Sequence, residues 1–412
     1  MFEPRMAAEQ AEIQEAIRDF TKHEIMPAVL KSEHLEDLSC PLPLELVDKA
    51  SGLGLRMLAL PEVQGGAGAG ILTCCIAMEE LGAGDAGIAA TLAHTAVLGR
   101  ALFDGALTDG QAAQFLPPFQ GDDRFHLAYI SDSNDPDREL AYHRDRSHAD
   151  LKGVDAARQS NGDWVLNGAS RIGNNVPVAK LTIVEIITGD GNCVALLVTP
   201  DMPGLRIEAH GVLVQDAADG VILRRWVHGA SGRLIFSDCR IPAANVILHP
   251  SNELSNAGRA AGSSPVFSAI NLGVGRSALE AAVDYAKLRV QGGRRIIEHQ
   301  AIGDILSSCA IELEVARNIV WKAAWAIDHP DLASQAGFSG STLQHMAKVF
   351  TAEAVHEVTL KSAECFGAMG VMLDMPMAKY VRDARIFLHW GRSNAVSRFR
   401  IAEMLAGFST TG

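Results

Sequence analysis

Tyr380-Val-Arg-Asp-Ala-Arg-Ile-Phe-Leu-His-Trp-Gly-Arg-Ser-Asn394 is the stretch on which the reading of this chain turns. It sets opposite charges side by side at Arg382 and Asp383, then runs through His389, Trp390, Gly391 and Arg392 without another carboxylate. An imidazole titrates near pH ~6.5, so His389 is a candidate base, acid or hydrogen-bond donor. Trp390 and Arg392 are suited to closing a pocket and holding an anionic group. Outward from here, apolar residues recur at helical spacing through Leu272 to Val290, Ala301 to Ile327 and Ser341 to Cys365.

Two changes of periodicity divide the rest. From about Ala7 to Arg124 the spacing is helical, as in Ile13, Ile17 and Phe20, with breaks at Pro27, Pro41 to Pro43 and Gly65-Gly66. From about Leu127 to Leu248 it becomes short β-rich runs: Trp164-Val-Leu166, Leu181 to Val184, Val194 to Val198 and Arg233 to Phe236. The expected fold class is α+β, with an N-terminal helical domain over 1–126, a middle β domain over 127–248 and a C-terminal four-helix bundle over 249–412.

The chain has 412 residues, of which 48% are apolar and 21% charged, enough for a large core. A net charge of −13 argues against nucleic-acid or anionic-membrane binding as the main role. Seven scattered cysteines show no CxxC motif or disulfide framework, and a reducing compartment fits best. Leu181 to Thr199, the most apolar stretch, is broken by Glu185 and Gly189-Asp-Gly-Asn192 and reads as a β-hairpin, so a cytoplasmic protein without a membrane partner is expected. The charged segment Asp132 to Asp150, with His143 and His148, reads as a solvated loop because its residues lack metal-ligand spacing; no metal is expected.

Three ordered motifs carry a resemblance. Gly52-Leu-Gly-Leu, Leu60-Pro-Glu62, Gly65-Gly66 and Met78-Glu-Glu-Leu81 lie in the first domain; Leu234-Ile-Phe-Ser-Asp238 with Pro242 and Asn245 in the second; Arg289-Val-Gln-Gly-Gly293 with Ile296 and Gln300 in the third. Together they resemble the FAD-dependent acyl-CoA dehydrogenase superfamily over nearly the whole chain. The resemblance implies that fold, and FAD at the boundary of a homodimer or homotetramer. Arg289 stands near a helix end before two glycines, where an Arg suits a pyrophosphate. The resemblance assigns Arg289 and Gln300 to the FAD of a neighbouring subunit and Gly367-Ala368 to a turn whose amides meet the pyrophosphate. Ser393 takes the place of a Thr that contacts FAD. On the β side, Ser131 takes the place of a flavin-contacting Thr, and Gly173-Asn174 the place of a Thr-Asn pair whose hydroxyl faces flavin N5.

The chain departs from the family where the chemistry is done. In relatives an Arg-Asp-Ala run leads, seven residues after the Ala, to the Glu that removes the α-proton; here Arg382-Asp383-Ala384 leads to Gly391. The alternative site for that base falls at Ser263 or Ser264, and neither is a carboxylate. His389 and His94 are the nearest substitutes, with Arg392 beside the gap. The leading expectation is an acyl-CoA dehydrogenase-type enzyme of lipid metabolism acting by α,β-dehydrogenation with a relocated base. The alternatives are a flavin-dependent monooxygenase, a desulfinase-like eliminating enzyme, or a non-catalytic FAD-binding subunit of a hetero-oligomer. Acyl chain and electron acceptor are left open.

Overall fold

The structure is a computed structural model describing residues 5–31, 42–131, 153–187, 193–210, 214–215, 222–223, 229–248, 254, 264–334, 338–372, 374–391 and 393–408. Asp132 to Asp150 and Arg392 lie outside the described residues. The chain forms two compact units: 1–40, 70–90 and 262–412 make a helical unit, and 41–69 with 91–261 a unit built on sheets.

Helix α1 (Ala8–Phe20) opens with a capping interaction, the Ala7 N–H donating to the Gln10 side chain at 2.9 Å. It runs into a π-helical turn, Thr21–Ile25. Pro27 follows; it has no N–H, and its ring presses on the carbonyl four residues back, so the backbone widens before it. α2 (Leu44–Gly52) belongs to the sheet unit. α3 (Ile71–Gly84) is buried on all sides from Cys74 to Gly84, the pattern of a core helix. α4 (Ala86–Phe103) is long and apolar enough to cross a membrane by length and composition, yet 89% of it is buried inside the fold. α5 (Asp109–Gly121) is capped by Thr108, which accepts from the Gln111 N–H.

In the sheet unit, β1 (His126–Ser131), β5 (Ala179–Ile187), β6 (Cys193–Val198) and β11 (Val246–Leu248) form one sheet in the order β1-β5-β6-β11. β1 pairs parallel with β5, and the β5–β6 hairpin is antiparallel, as the apolar stretch with its glycine interruption predicts. β2 (Val154–Arg158), β3 (Trp164–Ala169), β4 (Gly173–Asn174), β7 (Leu205–His210) and β10 (Ser231–Ile241) form the second sheet, and β8 (Val214–Gln215) pairs antiparallel with β9 (Ile222–Leu223). Period-two alternation separates the two faces of β1. Ala128 and Ile130 join Leu166, Phe236 and Ile241 between the sheets, while Leu127 and Tyr129 pack with Leu98, Phe115 and Phe119 of α4 and α5.

The rest of the helical unit is α6 (Pro265–Leu288), α7 (Gln300–Asp328), α8 (Gly340–Phe366), α9 (Met377–Phe387) and α10 (Asn394–Ala406). α3 and α6 touch backbone to backbone through glycines. A Cβ on Gly82 would fall 2.4 Å from the Ile270 carbonyl oxygen, and one on Gly273 2.2 Å from that of Glu79. α6 stops two residues before the Val290 expected from periodicity, because Gly292 and Gly293 follow at positive φ in a short hairpin. The architecture is helical at both ends with β sheets in the middle of the chain, as the sequence predicts.

Candidate active site

At one end of the helical unit, α8 runs out at Phe366 and the chain turns through Gly367, at φ +57° and ψ −134°. A Cβ on Gly367 would meet nothing within 4 Å, so the backbone there is open. Gly370 is closed by contrast, since a Cβ would lie 2.6 Å from the Ala363 carbonyl oxygen. Tyr285 stacks on Phe366 with centroids 4.2 Å apart, and its carbonyl accepts the Arg289 N–H at 2.9 Å. The Gly367-Ala368 turn and the Arg289 end of α6 are thereby brought to one place. Arg289 is exposed, as are Gln300, Gly367 and Ala368. Gln300 is the first residue of α7 and lies just beyond the hairpin that Arg289 precedes; His299 Nε2, 3.1 Å from the Gln291 carbonyl oxygen, ties the start of α7 to the first strand of that hairpin.

On the far side of α9, Trp390 is buried between aromatic rings, 5.7 Å from Phe387 and 5.9 Å from Phe267 between centroids. Gly391 follows at φ +66° and is exposed, as is His389. Ser393 caps α10, accepting from the Val396 N–H at 3.4 Å. Ser264 similarly caps α6; both serines are placed by helix geometry. Glu353 of α8 reaches the start of α10. Its oxygens accept from Arg398 at 2.6 Å and from Asn394 at 3.2 Å. Lys348 was not singled out from the sequence. It is buried on α8 and donates to Asn394 Oδ1 at 2.9 Å, and burial pushes its pKa down to about 8. The one signal for it was a lysine on the core-facing side of an apolar helix.

α9 is fixed by charge. The Lys379 ammonium donates to Asp383 at 2.6 Å and lies 3.1 Å from Asp85. Burial works against that ammonium, but Asp383 and Asp85 outweigh it and hold its pKa above the usual lysine value.

In the sheet unit, Ser131 is buried and donates to Glu185 Oε1 at 3.1 Å, while the Tyr129 hydroxyl donates to Glu185 Oε2. Gly173 lies against the same strand: a Cβ there would fall 2.9 Å from Ile130 Cγ1 and 3.2 Å from the Tyr129 carbonyl oxygen. Ser131 and Gly173 are therefore neighbours, and glycine at 173 follows from that close approach. Asn174 pairs with Ser231 of β10. The next residue, Asn175, at φ +65° and 1% exposed, donates its amide to the carbonyls of Thr91 at 2.8 Å and Leu127 at 3.2 Å. It fixes this turn against α4 and β1. The Asn174-Asn175 pair was its sequence signal, because Asn tolerates a positive φ. His94 is buried on α4, and burial pushes its pKa down to about 3. An imidazole so held is neutral at ordinary pH and a weak proton acceptor.

Residues 7–121 match the acyl-CoA dehydrogenase N-terminal domain and residues 263–406 the acyl-CoA dehydrogenase C-terminal domain. The chain belongs to the acyl-CoA dehydrogenase superfamily. An acyl-CoA dehydrogenase of Bacillus subtilis is 28% identical over 413 residues, covering 97% of this chain and 98% of its own length. Butyryl-CoA dehydrogenase from Megasphaera elsdenii shares the fold with a TM-score of 0.80 at 24% identity, covering 98% of this chain and 100% of that one. PigA, solved with FAD and proline, does so with a TM-score of 0.79 at 19% identity, covering 98% and 99%. The residues present fit a flavin dinucleotide. The open backbone at Gly367 and the exposed cation of Arg289 suit a pyrophosphate, and the buried hydroxyl of Ser131 beside a side-chain-free Gly173 suits a flat polar ring edge.

Proposed function

We propose that the protein is an FAD-dependent oxidoreductase acting on an acyl-CoA thioester, most simply by α,β-dehydrogenation. The observation that carries this is the juxtaposition of Arg289 with the open Gly367 turn in a chain of this family. The cofactor is FAD, held by Arg289, Gln300 and the Gly367-Ala368 turn on the helical unit, with Ser393 near it, and by Ser131, Gly173 and Asn174 on the sheet unit. When bound, FAD supplies the acceptor for the substrate's β-hydrogen. The protein works as an oligomer in the cytoplasm, and the exposure of Arg289 and Gln300 on a single chain accords with a cofactor shared between copies.

Removal of the α-proton needs a base within about 3 Å of it. His389 is the better of the two histidines for that role, since it is exposed on the turn carrying the vacant position, whereas His94 is held neutral down to acid pH. Arg392 would bind an anionic part of the substrate. The test is anaerobic bleaching of the FAD-loaded enzyme by butyryl-, octanoyl- and palmitoyl-CoA. Bleaching by one of them that is lost in His389→Gln supports the reading, and an FAD-loaded protein inert to all three overturns it.

One observation favours a second reading. Gly391 carries no side chain, and Glu353 nearby is already engaged by Arg398 and Asn394. Such a site suits a base-independent reaction, a monooxygenation or the elimination of a good leaving group, or a non-catalytic subunit that completes a partner's site. Oxygen uptake with externally reduced flavin marks the monooxygenase, and copurification of a homologue bearing the Glu marks the subunit.

A further inference from the structure

We propose that the helical unit carries a second ligand site, a cleft among α1, α3, α6 and α7 that binds a small organic monocarboxylate. The cleft holds about 400 Å³ and is lined by charged side chains of all four helices, by Thr21 and Trp321, and by Met6, Met26 and Ala83. This is the size of a small-molecule pocket. It shares no residue with the flavin site proposed above, so the two readings stand or fall separately.

The two buried carboxylates in the cleft, Glu79 and Glu80, are already satisfied, and Glu280 is exposed to solvent. Glu80 accepts from Arg18 at 2.7 Å and from both terminal nitrogens of Arg276 at 2.7 and 2.5 Å. Glu79 accepts from Arg317 at 2.9 Å. Burial of Glu80 works to raise its pKa, but the hydrogen bonds from Arg276 and Arg18 outweigh it and hold the group ionised. What the cleft has left over is donors. Thr21 Oγ1, Trp321 Nε1 and Arg276 Nε are buried and make no hydrogen bond. Thr21 is 2% exposed, and Arg276 Nε stands 3.9 Å from Glu280, beyond hydrogen-bond reach. Buried polar groups are otherwise almost always paired, and three in one cleft point to a missing partner.

The chemistry of that partner follows from the groups. The indole and Nε nitrogens have no lone pair to offer, so the ligand supplies acceptors. Arg18, Arg276 and Arg317 are engaged by Glu79, Glu80 and Glu314, whereas Lys22 at the edge of the cleft has no carboxylate within ion-pair reach among the described residues; its charge is the one that a single carboxylate neutralises. The methionines, Ala83 and the Trp321 ring provide the apolar wall that an organic tail needs and inorganic phosphate does not. The π-helical turn opens at Thr21 itself, setting that hydroxyl apart from the regular ladder.

Calorimetric titration of the full-length protein with butyrate, and separately with inorganic phosphate, tests this. Saturable butyrate binding is expected, with a Kd on the order of 1 mM for so small a ligand. Thr21→Val removes one donor and keeps its shape, Trp321→Phe removes another together with part of its ring, and each weakens binding about tenfold or more. Without butyrate Thr21→Val melts no lower than the parent, because an unpaired buried donor is lost; a purely structural role for the hydroxyl predicts a lower melting temperature. The proposal is overturned by butyrate that does not saturate, by phosphate binding as tightly, by affinity unchanged in both variants, or by butyrate displaced by acyl-CoA.

Discussion

The two turns that flank α9 differ in what they ask of the chain. Each places a glycine at positive φ, +57° at Gly367 and +66° at Gly391. At Gly367 the work assigned to the turn is done by backbone amides, and the only requirement on the sequence is that no side chain intrude; the space there is open. At Gly391, on the reading proposed above, the work falls to a side chain, and glycine supplies none, while Trp390 anchors the turn between Phe387 and Phe267. Function borne by backbone is tied to the fold and persists with it. Function borne by one side chain can be lost while the fold stays intact, which is why belonging to the family and catalysing its reaction are separate questions for this chain.

The contrast requires that both turns be held by the same fixed helix, and the largest expected effect tests that. Lys379→Met leaves Asp383 and Asp85 facing one another without the cation between them. Breaking a buried pair from one side costs about 3 to 5 kcal/mol. A large fall in denaturant midpoint, partly recovered by adding Asp383→Asn, is the expected result; a midpoint near that of the parent would mean the ion pair does not position the turns.

Next is Gly391→Glu, which puts a carboxylate at the position proposed above for the base. General-base catalysis is worth roughly 10²-fold or more, so bleaching by a saturated acyl-CoA should rise by that order. Against this, a non-glycine residue at positive φ costs about 1 to 2 kcal/mol, so the variant's melting temperature should drop modestly. A folded, FAD-loaded variant with no gain would show that the second turn lost the geometry along with the residue. The first turn is probed by Arg289→Ala. Losing a charge-assisted hydrogen bond to phosphate weakens FAD binding about tenfold to a hundredfold. Because Arg289 is exposed, the apoprotein's stability should hardly change, and equal loss of both would make Arg289 a structural residue.

How much of this could be read in advance follows the same division. The helices over 265–288, 300–328 and 340–366 and the β5–β6 hairpin were legible because burial imposes a period on the sequence. The end of α6 near Arg289 was legible because two adjacent glycines stop a helix, whereas the hairpin that follows was not read. Lys348 and Asn175 were not, since each looks unremarkable among its neighbours and matters only through partners 46 and 84 residues away. Long-range polar pairing leaves no period. The orphan donors of the α1–α3–α6–α7 cleft escaped for the same reason: Thr21, Trp321 and Arg276 are ordinary helix residues until the fold brings them to one wall.

The smallest effect separates the two histidines. His94 is pushed to about 3 by burial, and His126 to about 4 by burial with Arg56 adding to it. In the unfolded chain both titrate near ~6.5. Between that value and the folded ones, the unfolded state binds protons the native state refuses, so stability falls as pH drops. Each histidine's contribution to stability is present in full above pH ~6.5 and is lost below it with a limiting slope of about 1.4 kcal/mol per pH unit. His94→Gln removes one of the two, at a pH-independent cost of about 1 kcal/mol for an imperfect hydrogen bond. Urea midpoints of parent and variant from pH 7 to pH 5 should therefore converge as the pH falls, the parent losing stability faster. Parallel curves would mean that His94 takes up a proton in the native state, and would return it to contention with His389 as the base.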